Sequence, residues 1–229
     1  VTHVVLTAIA THAPNIDDNA ADCAMALLME LLRMGNRQVQ ETTHRYLTVT
    51  DRHGKLLTHM RQRLLAALDL MRERKDQVAD RFVKLALVQR RGIHRALRTM
   101  EAIQLLCEGH FKPLQETIRE QPMLSVNINL INDIIKLLFL QCDSPRSIRR
   151  MEDLEVTLTC STLDVLIESV QGPCPANQEL IAMSAPAMTA VKTILPAVFS
   201  SRVSKYTRFL TKSRALQLCA SCLEGRKDK

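Results

Sequence analysis

The sequence predicts an all-α fold, and three of its features lead to that prediction. Only 3% of the 229 residues are aromatic, and Leu, Met and Ala are abundant. Unbranched side chains of this kind lose little rotamer freedom in a helix. Glycine (6) and proline (8) are too scarce for a hairpin-rich β protein, and no proline falls between Pro14 and Pro113. We therefore expect stacked antiparallel helix pairs, forming an α-solenoid-like array or an irregular helical bundle.

Length and hydrophobicity bound the domain organisation. With 46% hydrophobic residues, 1–229 can form a single helical domain, for which 1–110 and 111–229 are the alternative subdivision. The chain begins with Val1 and shows neither a signal peptide nor a transit peptide, so we expect a fragment of a longer polypeptide. Charged residues interrupt 129–142, the most apolar run, which is shorter than the roughly 18 residues that cross a bilayer. The fragment is expected to be soluble.

The first complete helix is predicted in "DDNAADCAMALLMELLRMGN" (17–36). Asp17, Asp18 or Asn19 can cap its start, because short polar side chains accept hydrogen bonds from the first free backbone N–H groups. Gly35 suits the left-handed position just past its end.

A long helical rod is predicted next, because apolar residues recur every three or four positions from Leu57 to Met100. One or two breaks are expected, around 74–77 and 90–93, and Gly109 suits the C-terminal cap. Shorter helices are expected through Val39 and Leu47, and near 114–120, 127–141, 147–170, 177–184, 187–199 and 203–224.

The stretch "QGPCPANQ" (171–178) is typical of a sharp corner between two helices. Gly172 can adopt a positive φ, and Pro173 prevents the preceding helix from continuing. Pro175 fits the first turn of the next helix, where its missing N–H is no loss. We expect Gly35→Val and Gly172→Val each to destabilise the domain by a few kcal/mol, since β-branched residues tolerate positive φ poorly.

Side chains of the same stretch allow two interpretations. Asn177 and Gln178 can satisfy unpaired backbone groups at the corner. Cys174 would be a reactive thiol only with a base or a positive environment, and no His, Lys or Arg is near it in sequence. The helix corner is the favoured interpretation.

Other cysteines and histidines invite metal or redox hypotheses. Seven cysteines at irregular spacing favour free thiols in a reducing compartment. Cys219 and Cys222 form C-x-x-C, which is half a zinc site or a redox pair. No second pair is near, so we expect core packing on an apolar face that Cys219 shares with Leu216 and Leu223.

For three further features we favour a structural explanation over a functional one. Cys107 and His110 have metal-ligand spacing, but Cys107 fits the last turn of a helix and His110 a hydrogen bond at its exit. His53 and His59 are expected to be solvated loop residues. The acidic run "MEDLE" (151–155) lacks the alternating oxygen ligands and glycine of a calcium-binding EF-hand loop, so it is expected to be a charged first helical turn.

The net charge of +7 is unevenly distributed. Residues 61–98 hold eleven Lys or Arg and four Asp or Glu, and 202–229 hold eight and two. The basic stretch 61–98 is interpreted as a solvated helix face, as a surface for an acidic protein, or as a site for nucleic acid or lipid. A single aromatic residue, Phe82, argues against nucleic acid. The candidate partner-binding residues are Arg72, Arg74, Lys75, Arg90, Arg91 and Arg95.

Four segments together resemble a known family. "LLRMGNRQVQ" (31–40), "QLLCEGH" (104–110), "QGPCPANQELIA" (171–182) and "SCLEGR" (221–226) occur in the order found in intracellular calcium-release channels. The sequence resembles a divergent member of the homology-associated helical region that inositol trisphosphate and ryanodine receptors share. The matching motif positions are Gly35, Asn36, Cys107, Glu108, Gly109, His110, Gln171, Gly172, Pro173, Cys174, Asn177 and Gln178.

The resemblance implies a cytosolic part of a tetrameric channel in the endoplasmic reticulum membrane. In that family the region lies between the ligand-sensing half and the pore, helps to couple them, and contacts other domains and subunits. It implies no catalytic residue, no cofactor, no metal and no nucleic acid. Ala102, Ile103 and Val170 stand where family members usually carry aromatic residues. The alternative is a free-standing helical-repeat adaptor that binds an acidic partner through 61–98.

Overall fold

Helices make up the regular structure of the computed structural model, which describes residues 1–12, 15, 18–78 and 82–226. Within these residues there is no β-strand, so the all-α prediction is confirmed. The helices are α1 (Thr2–His12), α2 (Asn19–Leu32), α3 (Arg37–Arg45), α4 (Lys55–Gln77), α5 (Leu87–Cys107), α6 (Lys112–Thr117), α7 (Leu130–Cys142), α8 (Pro145–Arg150), α9 (Asp153–Val170), α10 (Pro175–Ala182), α11 (Ala185–Ile194) and α12 (Lys205–Leu223). A 3₁₀ turn at Arg33–Gly35 and a π-helical turn at Tyr46–Thr50 flank α3.

Helix α9 lies at the centre of an irregular bundle. It packs against α5, α7 and α12, which come from distant parts of the chain, while α4 lies against both α5 and α7. In a solenoid each unit touches only its sequence neighbours, so these contacts favour the irregular bundle over the solenoid. Buried apolar side chains from α1 through α12 belong to one continuous core. None of the described helices combines the length and apolarity that a membrane crossing requires.

The capping predictions for α2 can be checked at both ends. The Asp18 carboxylate accepts a hydrogen bond from Ala20 N at 2.7 Å, so Asp18 is the N-cap among the three candidates. Asp17 lies outside the described residues. Gly35 has φ +63°, which confirms the left-handed position past the helix end.

Of the one or two breaks expected in the rod, the one near 74–77 is found and the one near 90–93 is not. The chain leaves helical conformation only between α4 and α5, and α5 runs without interruption through Gly92. A Cβ on Gly92 would lie 2.4 Å from Cδ1 of Leu70 on α4. The glycine therefore allows two helices to pack closely, which a search for helix breaks cannot distinguish from a kink.

Three other expectations need correction. The helix predicted at 147–170 is divided at Met151 and Glu152, which are extended, and Glu152 N donates to Glu155 Oε2 at 2.7 Å where α9 begins. His59 is buried in the second turn of α4, because that helix begins at Lys55 and not beyond the histidine. Helix α1 was not predicted from the sequence.

Candidate functional site: a cluster of helix corners

The four segments that carry the family resemblance meet at one end of the bundle, through three glycines of positive φ. Gly35 lies against the backbone of Glu108, with 3.7 Å between its ideal Cβ position and Glu108 O. Gly172 faces His110 so closely that a Cβ would lie 2.4 Å from His110 Cβ. Gly225 faces Pro173, with 2.9 Å to its Cγ. We call these four segments, 31–40, 104–110, 171–182 and 221–226, the helix-corner cluster.

Buried side-chain amides connect the same segments. Gln40 is fully buried, and its Nε2 donates to the carbonyl oxygens of Leu105 and Leu106 at 3.3 Å and of Glu108 at 2.7 Å. These carbonyls belong to the end of α5, where the last turn of a helix has no intrahelical donor. The amide of one segment therefore caps a helix that ends in another.

The end of α9 is capped in the same way from two directions. Gln115 Nε2 donates to Glu168 O at 2.7 Å and to Gln171 O at 2.9 Å. Asn177 Nδ2 donates to Ser169 O at 2.8 Å and to Gln115 O at 2.9 Å. The second bond of Asn177 reaches α6, so α6, α9 and α10 are held at fixed relative positions.

Gln178 completes the cluster at the C-terminal end of α12. Its Nε2 donates to Ser221 O at 2.8 Å and to Glu224 O at 2.9 Å. The expectation that Asn177 and Gln178 satisfy orphan backbone groups is confirmed, although Gln178 serves a different helix from the one that precedes it. Gln40 and Gln115 were missed, since nothing in their sequence surroundings distinguishes them from solvated glutamines.

The cysteines of the cluster are buried, and burial favours their protonated form. Cys107 is the last residue of α5 and Cys174 the residue before α10, and both are fully buried. Burial raises the pKa of both thiols, which disfavours the nucleophilic thiolate at neutral pH. Burial likewise raises the pKa of Cys222, to about 11. Among the described residues, no three metal-ligating side chains lie close enough together to hold an ion.

The core packing expected for C-x-x-C is found, since Cys222 is buried and Cys219 packs partly buried against the core, but the apolar face named for it is wrong. Cys222 is buried together with Thr211, Ala215 and Leu218, whereas Leu216 is 58% and Leu223 71% exposed. Residues 211, 215, 218 and 222 form the helical row that α9 covers. The prediction took Leu216 as a core residue and therefore chose a neighbouring row of α12, which is exposed.

Carboxylates gather beside the cluster at the end of α9. Burial raises the pKa of Glu168, and repulsion from Glu108 and from Asp164 raises it further, against the opposite effect of His110 and Arg214. The negative charge of Glu168 therefore destabilises the folded state.

We predict that Glu168→Gln raises the urea midpoint of unfolding at about pH 7.5 but not at about pH 4. A carboxyl whose folded pKa is raised contributes stability below its unfolded pKa and loses that contribution as the pH rises through the folded pKa. At low pH both states are protonated, so the substitution should have no effect there. Glu41→Gln, at an exposed glutamate, is the control. An equal gain at both pH values would contradict the electrostatic cause.

The prediction that Arg74 belongs to a partner-binding surface is wrong, because Arg74 is buried. Its side chain is 1% exposed, and Nε lies 3.1 Å from Glu155 Oε1 while Nη2 lies 3.6 Å from Glu152 Oε1. The acidic run that contains both glutamates begins α9, as predicted, and the buried cation joins α4 to it. The periodic pattern could not separate this arginine from its exposed neighbours.

The other candidate cations are at least partly exposed. Arg72 pairs with Asp69 three residues away, Lys75 pairs with Asp143, and Arg90 lies 2.6 Å from Glu152. Arg91 is exposed and Arg95 half-buried. Phe82 lies under the guanidinium of Arg202, at 3.7 Å from ring centroid to Cζ. Much of the positive charge in 61–98 is therefore matched within the fold.

A surface cavity of about 410 Å³ lies between the π-helical turn and α6. Its walls include His44, Glu116 and Glu120, and burial lowers the pKa of His44. Lys112 and Arg119 already pair with the two glutamates. The cavity therefore offers no unmatched charge to a ligand.

Comparison with known proteins finds similarity to the same family. Residues 91–195 match the family model described as RyR and IP3R homology associated. This match covers 105 of the 229 residues and agrees with the resemblance that the four segments carry. Two of the four cluster segments, 104–110 and 171–182, lie within the match. Ala102, Ile103 and Val170, which replace the aromatic residues usual in the family, are fully buried in the core.

A curated relative is also similar to this chain. The inositol 1,4,5-trisphosphate receptor itr-1 of Caenorhabditis elegans is 27% identical over 135 residues, which cover 56% of this chain. The same alignment covers 5% of the receptor, so the chain corresponds to a small part of that relative.

Proposed function

We propose that this chain is a cytosolic coupling module of a tetrameric calcium-release channel in the endoplasmic reticulum membrane. It would relay conformational change from the ligand-sensing region to the pore, without catalysing a reaction itself. The observation that carries the proposal is the position of the helix-corner cluster, half of which lies inside the homology-associated region. Its partners would be other domains and subunits of the same channel.

The fixing of α9 at both ends supports a mechanical role. At its start, Glu152 and Glu155 pair with Arg74 and Arg90 of α4 and α5. At its end, Gln115 and Asn177 donate to its terminal carbonyls. A helix held in this way moves as a rigid element, so a displacement at one interface is transmitted as a rotation at another.

The transcript that encodes this chain distinguishes the channel from the free-standing adaptor. A channel requires several membrane-spanning segments encoded after Lys229 in the same reading frame. A stop codon directly after Lys229 would contradict the proposal and favour the adaptor that binds an acidic partner through 61–98.

A chimeric receptor tests the coupling role itself. The segment of the nematode receptor that corresponds to residues 91–195 is replaced by those residues of this chain, and inositol trisphosphate binding and calcium release are measured in microsomes. We expect the chimera to assemble as a tetramer and to release calcium. Asn177→Leu in the chimera should leave ligand binding intact and reduce release severalfold, because binding and coupling reside in different regions.

Two outcomes would contradict the coupling role. A chimera that fails to assemble would show that the segments are not equivalent. An Asn177→Leu chimera that releases calcium as well as the parent chimera would show that the helix-corner cluster is not needed for coupling. The parent chimera gives the reference level of calcium release.

A further inference from the structure

The outer face of α12 carries a row of apolar residues at coiled-coil spacing. Four large side chains on it are strongly exposed: Tyr206 (72%), Phe209 (71%), Leu216 (58%) and Leu223 (71%). Ser213 and Ala220 occupy the intervening positions, so the row advances by three, four, three, four and three residues. This is the spacing with which one helix packs against another. We call residues 206, 209, 213, 216, 220 and 223 the outer row.

The outer row is separate from the face that holds α12 in the fold. Thr211, Ala215, Leu218 and Cys222 are buried on the opposite side, where α12 packs against α9. The helix therefore has two apolar faces, and within the described residues only the inner one is covered. Isolated exposed apolar residues are ordinary, but a continuous row of them marks an interaction surface.

The charges beside the outer row are all positive. Lys205, Arg208 and Lys212 follow one another along one flank at helical spacing, and α12 contains neither aspartate nor glutamate. Among the described ion pairs, those of α12 involve Arg214 alone, which contacts Asp164 at 2.6 Å. Arg208 already donates from Nε and Nη2 to Val203 O, so Lys205 and Lys212 are the flank cations that a partner of opposite charge would meet.

We propose that the outer row of α12 docks an amphipathic α-helix of another protein segment, with apolar residues at heptad spacing and acidic residues facing Lys205 and Lys212. A second copy of this chain fits poorly, because it would oppose the same cations to one another in a chain of net charge +7. An anionic membrane fits less well than a helix. Ser213 and Ala220 make the row narrow and indented, as a packed helix requires, rather than uniformly bulky.

A displayed peptide library tests the proposal. Its members are helical peptides of four heptads with leucine at positions a and d, and with Glu, Gln or Lys at random at positions e and g. The 229-residue chain is the immobilised target. We expect selection to enrich glutamate along one flank, and the selected peptide to bind more weakly as salt is added.

Variants on and off the row give the decisive comparison. Phe209→Ser and Leu216→Ser should each weaken binding of the selected peptide at least about tenfold, and Lys205→Glu with Lys212→Glu should do the same. Leu87→Ser, at another exposed leucine (66%), and Lys55→Glu, at an exposed lysine on α4, should leave the affinity unchanged. Far-ultraviolet circular dichroism confirms that each variant is folded.

Four results would overturn the proposal. The first is that the selected peptides are enriched in lysine or in no charge, and the second is that Leu216→Ser leaves their affinity unchanged. The third is that the chain alone forms a dimer that Leu216→Ser dissociates. The fourth is that binding to phosphatidylserine vesicles depends on Leu216 while peptide binding does not. Each assigns the outer row to a different occupant or to none. The proposal does not depend on the coupling role, so its failure leaves that role untouched.

Discussion

Gly172→Val should lower the free energy of unfolding by about 3 kcal/mol or more, because two penalties act together. The residue has φ +92°, where β-branched side chains are strained. A Cβ would also lie 2.4 Å from Cβ and 2.6 Å from Cγ of His110, whose backbone is itself held at φ +61°. Urea unfolding monitored by circular dichroism measures the loss, which is large beside the 5–15 kcal/mol that stabilises a typical domain.

Gly35→Val is the matched control for the steric part of the stability loss in Gly172→Val. Gly35 shares the positive φ, but its Cβ would have ordinary contacts of 3.7 Å and more, so its loss should be the smaller of the two. Removing the opposing Cβ with His110→Gly should recover much of the Gly172→Val loss, and should itself relieve strained backbone. Equal losses in the two valine variants, with no recovery by His110→Gly, would contradict the close approach at this corner.

Arg74→Met should destabilise the fold by about 3–5 kcal/mol at neutral pH, since it leaves a buried carboxylate without its cation. Glu155 is 3% exposed, and its pKa is already raised by burial despite the opposing effect of Arg74. Without the arginine this pKa rises further. The loss should therefore shrink at about pH 4, where Glu155 is protonated in the folded and unfolded states alike.

Arg72→Met tests whether the loss of stability depends on burial of the arginine or only on its position in the basic stretch. Arg72 lies two residues away, and it pairs with Asp69 at the surface with its side chain 60% exposed. Its substitution should change the free energy of unfolding by less than about 1 kcal/mol. Arg74→Met with Glu155→Leu should recover part of the loss, because an apolar pair replaces a buried ion pair at little cost. Equal effects of the two single arginine substitutions would contradict the buried pair.

The sequence predicts the corners of this fold better than its surfaces. Gly35, Gly172 and Pro175 are read correctly because each depends on local backbone geometry, which the residue type restricts directly. The family motifs likewise identify segments that meet in space. The amides of Asn177 and Gln178 were assigned to helix ends for a different reason, because a buried amide needs carbonyl partners.

Features that depend on which helix face is covered were not accessible. Arg74 and Arg72 have the same surroundings in sequence, and only the position of α9 separates a buried ion pair from a surface one. On α12 both rows of residues are apolar, so periodicity could not decide that Leu216 faces outward. Gly92 was interpreted as a break because the contact that requires it, with Leu70, is a tertiary one.

Native-state hydrogen exchange tests most directly whether the helix-corner cluster behaves as one mechanical unit. If it does, amides in the last turns of α5, α9 and α12 exchange with a common opening free energy. Asn177→Leu, which removes donors to Ser169 O and Gln115 O, then lowers that free energy equally in all three helices. Faster exchange confined to the end of α9, with α5 and α12 unchanged, would contradict a rigid cluster.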